Sequence, residues 1–104
     1  MAYKIDDVFS ALADQNRRAI LLMLSDKKMT VKSIAENFKI SRPAISKHLK
    51  VLLNTKLVTT GQKGRERFYQ LNVEPLNDVR DWLKFYDKFW DDKLNSLKNY
   101  LEAE

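Results

Sequence analysis

The chain has 104 residues, 44% of them hydrophobic and 32% charged, with no cysteine and a formal net charge of +5. That length and balance fit one globular domain, residues 1–104, and the missing cysteine removes disulfides, thiolate nucleophiles and thiolate metal sites together. No apolar run approaches the roughly 20 residues that span a bilayer, and the start MAYKIDDVFSALAD lacks a signal-peptide pattern, so a cytoplasmic protein with no membrane partner is expected.

Ile5 to Leu12 reads as a short amphipathic helix, with Val8, Phe9 and Leu12 on one side and Asp6-Asp7 at the end where the helix dipole favours negative charge. Asp14 is the expected N-cap of a second helix, Asn16 to Leu24, whose core stripe is Ala19, Ile20, Met23 and Leu24 and whose Arg17 and Arg18 lie outside. Thr30 caps a third helix through Phe38, in which Ile34, Ala35 and Phe38 share a face.

Ser41 can cap again, and Pro43 falls in the first turn of the next helix, where the backbone N–H has no intrahelical acceptor to lose. Within SRPAISKHLKVL, Ile45, Leu49 and Leu52 form one stripe, while Pro43, Ser46, Lys47 and Lys50 fall opposite, with Arg42 in the first turn. Leu57 to Thr60 and Arg67 to Leu71 are β-branched or aromatic runs, separated by GQKGRE, which predicts a hairpin with a flexible, basic tip.

Pro75 suits the first turn of a final helix, uninterrupted by Gly or Pro from Leu76 to Leu101. Leu76, Val79, Leu83, Tyr86, Trp90, Leu94, Leu97 and Leu101 form a long apolar stripe, and Trp82, Phe85 and Phe89 run beside it. This double stripe is wider than a small core requires, so part of the helix should protrude and meet a partner chain, most simply across a two-fold axis.

Charge is unevenly divided among these segments. Residues 41 to 70 hold seven basic and one acidic side chain, whereas residues 71 to 104 hold five and eight. A local positive field of this kind gathers polyanions, which makes nucleic acid the leading partner class.

Two closely joined helices, the second lined by basic and small polar groups, followed by a Gly-containing ribbon, match a helix-turn-helix with a wing. The runs VFSALADQNRRAILLML, IAENFKISRPAISKHLKVLLNTKLV and GRERFYQLN resemble the ArsR-type winged-helix transcriptional repressors, over nearly the whole chain through Asn72. The expected fold is mainly α with a small β-hairpin, a winged helix-turn-helix that dimerises through its first and last helices, the latter about residues 75–101. By resemblance, Ser41 to Leu53 is the recognition helix, with Arg42, Pro43, Ser46 and Lys47 facing bases and nearby phosphates. Lys50, and Lys63, Arg65 and Arg67 of the wing, reach backbone phosphates. The chemistry agrees, since Arg donates two hydrogen bonds to guanine, serine allows close approach and lysine neutralises phosphate. Val8, Phe9, Leu83, Tyr86, Trp90, Leu94 and Leu97 are the expected dimer contacts.

The chain departs from the family pattern at Gln15, where proline is usual, and at Lys39, where glycine is usual. A left-handed backbone at Lys39 would cost roughly 1 kcal/mol. Many relatives bind metal through Cys in the third helix, or His and carboxylates in the last; here the third helix offers none and His48 is the sole histidine. Asp87, Asp91 and Asp92 read as a solvated face paired with Lys84 and Lys88 rather than a metal site. No cysteine or acidic residue neighbours His48 in its helix, which speaks against catalysis and for packing beside the core or contacting DNA. The aromatic group from Trp82 to Trp90 fits dimer packing better than an inducer pocket, and no cofactor is expected. The expected function is therefore a homodimeric repressor of a palindromic operator on double-stranded DNA. The alternatives are a winged-helix adapter for proteins or a non-specific architectural DNA-binding protein.

Overall fold

A computed structural model describes residues 4–103 as six helices and one hairpin. The order is α1 (Ile5–Leu12), α2 (Gln15–Leu24), α3 (Val31–Ala35), α4 (Arg42–Asn54), β1 (Val58–Lys63), β2 (Glu66–Leu71), α5 (Glu74–Lys84) and α6 (Asp87–Glu102). The fold is mainly helical with an antiparallel two-stranded wing, as expected from the patterning. No helix among the described residues is long and apolar enough to cross a membrane.

Local chemistry sets the helix starts. Asp14 Oδ1 accepts from the backbone N–H groups of Asn16 (2.8 Å) and Arg17 (3.1 Å), Thr30 Oγ1 from Ser33 (3.2 Å) and Ser41 Oγ from Ala44 (3.3 Å), each meeting donors that the first helical turn leaves without a partner. Helix α3 ends at Ala35 rather than reaching Phe38. The Asn37 side-chain amide donates to Ser33 O at 2.9 Å and takes the acceptor that continuation of the helix would give to the Asn37 backbone; that N–H bonds Ile34 O instead.

The core joins α1 (Val8, Ala11), α2 (Ile20, Leu21, Leu24), α3 (Ile34), α4 (Ile45, Leu49, Leu52) and the start of the wing (Leu57, Val58), all at most 7% exposed. Leu21 takes the place expected for Ala19, which is half-buried. Val8, expected to face a partner chain, is instead 1% exposed within the protomer's own core.

Helix α4 closes with a left-handed residue at Lys56 (φ 65°), the one non-glycine with positive φ among the described residues; Lys39, where strain was expected, is not among them. Leu57 N–H donates to Leu52 O (3.0 Å) and Lys56 N–H to Leu53 O (3.1 Å), a Schellman pair, and the apolar partners Leu52 and Leu57 are both fully buried beside it. Lysine pays the Cβ penalty that glycine avoids there. Lys56→Gly is therefore expected to stabilise the protein by about 1 kcal/mol, read as a higher urea midpoint at unchanged slope.

The hairpin is tighter than its six-residue GQKGRE separator suggested. Pairing runs from Val58↔Leu71 to Lys63↔Glu66, so only Gly64 and Arg65 form the turn. Positive φ at Gly64 (63°), and not at Arg65, is the pattern of the type II′ turn that suits twisted strands. Met29 forms an isolated bridge to Tyr69 (Tyr69 N–H to Met29 O, 2.7 Å), which ties the α2–α3 connection to the wing.

The final helix is broken. Phe85 and Tyr86 N–H groups bond Trp82 O and Leu83 O, three residues back, and Tyr86 has ψ near zero (−2°), so α5 stops and α6 restarts without Gly or Pro. Trp82 sits at this corner, its ring 5.3 Å from Phe9 edge-on and 5.1 Å from Tyr86. Helix α5 packs against α1, whereas every residue from Arg80 to Ala103 is exposed. A radius of gyration of 18.1 Å, against about 13 Å for a compact chain of this length, expresses that protrusion.

Candidate nucleic-acid interface

Helix α4 has two faces of opposite character. Ile45, Leu49 and Leu52 are at most 1% exposed, while Ser41, Arg42, Pro43, Ser46, Lys47 and Lys50 are all exposed. Burial of the first face against the core fixes the rotation of the helix and so presents the second to solvent. The wing residues Lys63, Arg65 and Arg67 are exposed as well, Arg65 at the turn itself.

The fold joins these two sets at one place. Arg42, from the first turn of α4, and Arg67, from β2, line a cleft of about 250 Å³ together with Thr30, Val31, Lys32 and Glu66. Lys32 was not among the expected contacts. Its position two residues after the Thr30 cap was a usable signal, but only packing brings α3 beside both α4 and the wing. The Arg67 guanidinium lies 5.4 Å from the centre of the Tyr69 ring and Lys28 Nζ, from the α2–α3 connection, lies 5.5 Å from that of Phe68, so aromatic residues of β2 support one cation of the wing and one beside it. The cleft thus joins α3, α4 and the hairpin and gathers three cations, Lys32, Arg42 and Arg67, around Glu66.

Arg17, expected outside, is partly buried instead. Its Nε donates to Ala11 O (2.7 Å) and Nη2 to Ser10 O (3.1 Å), capping the carbonyl end of α1, while Nη1 lies 3.4 Å from His48 Nδ1. His48 also lies 3.9 Å from Asp14 Oδ1, with its side chain 18% exposed. Of the two roles open to His48, packing is the one this geometry supports; the group locks α1, α2 and α4 together behind the cationic face.

The backbone N–H of Arg17, then that of Asn16 and the charges of His48 and Arg17, hold the Asp14 carboxyl below its ordinary value of 3.8. A carboxyl whose folded value is depressed contributes stability that is complete above the unfolded value and is lost as pH falls through the folded one. Asp14→Asn keeps a capping oxygen but removes the charge. The stability gap between wild type and this variant is expected to be widest near neutral pH and to close as the buffer is taken below about pH 4, a difference that paired urea melts measure.

The acidic residues of the last two helices are arranged differently from expectation. Lys84 pairs with Asp81 (3.7 Å) and Arg80 with the same carboxylate (3.8 Å), while Lys98 pairs with Glu102 (4.0 Å). Asp87, Asp91 and Asp92 form none of these pairs, and no group of three His, Cys, Asp or Glu among the described residues is clustered for a metal. The aromatic residues Trp82 and Phe85 line a shallow cavity of about 260 Å³ with Ile5, Asp78 and Asp81.

Residues 14–60, which span α2 through the first half of β1, match the family described as bacterial regulatory protein, arsR family. The chain is 40% identical over 85 residues to the transcriptional repressor SdpR of Bacillus subtilis, covering 81% of this chain and 94% of that protein. It is 37% identical over 99 residues to the HTH-type transcriptional regulator Rv2034 of Mycobacterium tuberculosis, covering 95% and 90%. Among solved structures, an ArsR-like transcriptional regulator from Rhodococcus sp. RHA1 superposes with a TM-score of 0.72 at 33% identity, covering 92% of this chain and 91% of that one.

Proposed function

The chain belongs to the ArsR family of bacterial regulatory proteins, and from that premise we propose that it is a homodimeric repressor that occupies a palindromic operator. It is a DNA-binding transcriptional regulator and not an enzyme. The observation that carries the finer reading is the polarity of α4, whose exposed Arg42, Ser46 and Lys47 stand opposite a fully buried stripe. Arg42 and Lys47 have the donors to read guanine edges, and Ser46 is small enough to let the helix approach. Lys50, Lys63, Arg65 and Arg67 neutralise phosphates and set orientation rather than sequence.

Two-fold symmetry would set the two recognition helices about 34 Å apart, one turn of duplex. Support for a dimer comes from the apolar ridge of α6, which has nothing to cover it within the protomer. The chain has no cysteine and its last two helices have no histidine, so we read it as a member that takes its signal by a route other than metal binding.

Selection of bound sites from a random duplex pool tests this function. A two-fold symmetric site with half-sites about 10 base pairs apart is the expected result, bound with an affinity that falls steeply with salt. On that site Arg42→Ala should lose about 1 to 3 kcal/mol of preference over random DNA, whereas Lys63→Ala should weaken all duplexes alike. Binding without a preferred site would point to an architectural protein, and no duplex binding at low ionic strength to a protein adapter.

A further inference from the structure

Glu66 is the sole acidic residue between Ser41 and Gln70, a stretch that carries seven Lys and Arg. It stands exposed at the end of the wing, across the strand pair from Lys63, and it lines the cleft that also holds Lys32, Arg42 and Arg67. Among the described residues no cation comes within 4.0 Å of its carboxylate. Glu66 therefore does not hold any of these cations in an ion pair. Set in a surface that meets phosphate, its charge opposes every duplex that docks there.

A carboxylate has a second property that phosphate-facing cations lack. When ionised it accepts hydrogen bonds and donates none. In the major groove cytosine N4 and adenine N6 donate, whereas guanine and thymine present acceptors, which a carboxylate repels. We propose that Glu66 is a specificity-determining residue: its charge penalises all duplexes, and the penalty is relieved only where a base beside the Arg42 contact presents an exocyclic amino group. The cleft brings the two residues together, one favouring guanine and the other excluding it at a neighbouring position. This inference rests on the DNA reading above and adds to it the residue that separates operator from random sequence.

Glu66→Gln preserves shape, removes the charge and adds a donor that tolerates acceptor edges. Titrated against a random duplex, the variant is expected to bind about 3- to 10-fold more tightly than wild type, as removal of one repulsive charge at several ångströms implies. On the site selected by wild type the gain is smaller, so the specificity ratio falls, and repeated selection with the variant loses its cytosine or adenine preference at one position in each half-site. Asp92→Asn, on the exposed part of α6, makes the same change in net charge far from the cleft and is expected to leave both affinities unchanged. Unchanged or weaker random binding by Glu66→Gln, an equal gain on both duplexes, or an equal gain from Asp92→Asn would each overturn the assignment. If wild type binds no duplex at all, the DNA reading fails and the assignment falls with it.

Discussion

Glutamate at both Leu94 and Leu97 is expected to separate the proposed dimer into monomers in sedimentation, and to weaken binding to the proposed operator by about 10²- to 10⁴-fold, the range over which joining two half-site contacts raises affinity. Trp90, Leu94, Leu97 and Leu101 recur at steps of four, three and four along α6, the spacing of a two-helix seam. They are 55–63% exposed, an apolar ridge for which the protomer provides no cover. Against a second copy, each side chain would leave water at roughly 25 cal/mol per Å² of apolar surface, and two unpaired carboxylates from each copy at the centre of the seam would reverse that gain. The variant tests the interface and not the fold, because α6 contributes nothing to the buried core. A folded monomer with weak, sequence-tolerant DNA binding is the expected product. A variant that stays dimeric would move the interface to α1 and α5, around Leu83 and Tyr86, with Phe9 contributing the edge it does not already spend on Trp82.

Leu49→Ala is expected to destabilise the protein by about 2 to 5 kcal/mol, a large share of the 5 to 15 kcal/mol that a domain of this size commands. Leu49 is 1% exposed in the middle of the α4 stripe, between Ile45 and Leu52, where α4 meets α2, α3 and β1. Truncation removes its transfer free energy and leaves a cavity that neighbours on three elements can only partly fill. The urea midpoint should fall at unchanged slope, and DNA binding should be lost only as the folded fraction is lost. Lys50→Ala, one residue further on and exposed, should move stability by no more than about 0.5 kcal/mol while still reducing duplex affinity. The two adjacent positions thus separate what holds α4 in place from what it presents.

The helix starts were legible because their determinants are local. Asp14, Thr30 and Ser41 each bond a backbone group two or three residues ahead, within the span that a sequence pattern covers. The same holds for the two faces of α4, since a 3.6-residue repeat sorts Ile45, Leu49 and Leu52 from Ser46, Lys47 and Lys50 whatever the rest of the chain does. Gly61, Gln62 and Lys63 have little strand preference of their own and were expected in a flexible tip. They extend β1 because Phe68, Arg67 and Glu66 pair with them.

By itself, then, the sequence determined that this is a small helical protein with a basic wing, where α2, α3 and α4 are capped, and which face of α4 meets solvent. Tertiary structure decided the break at Phe85–Tyr86, where Trp82 turns against Phe9, and the left-handed residue at Lys56, where α4 must deliver Leu57 into the core. It also decided that Arg17 and His48 lock helices together, and that Lys32, Arg42, Glu66 and Arg67 share one cleft. Caps and periodicity act within a turn or two of chain. Meetings between side chains 31 residues apart, as Arg17 and His48 are, depend on how the elements pack.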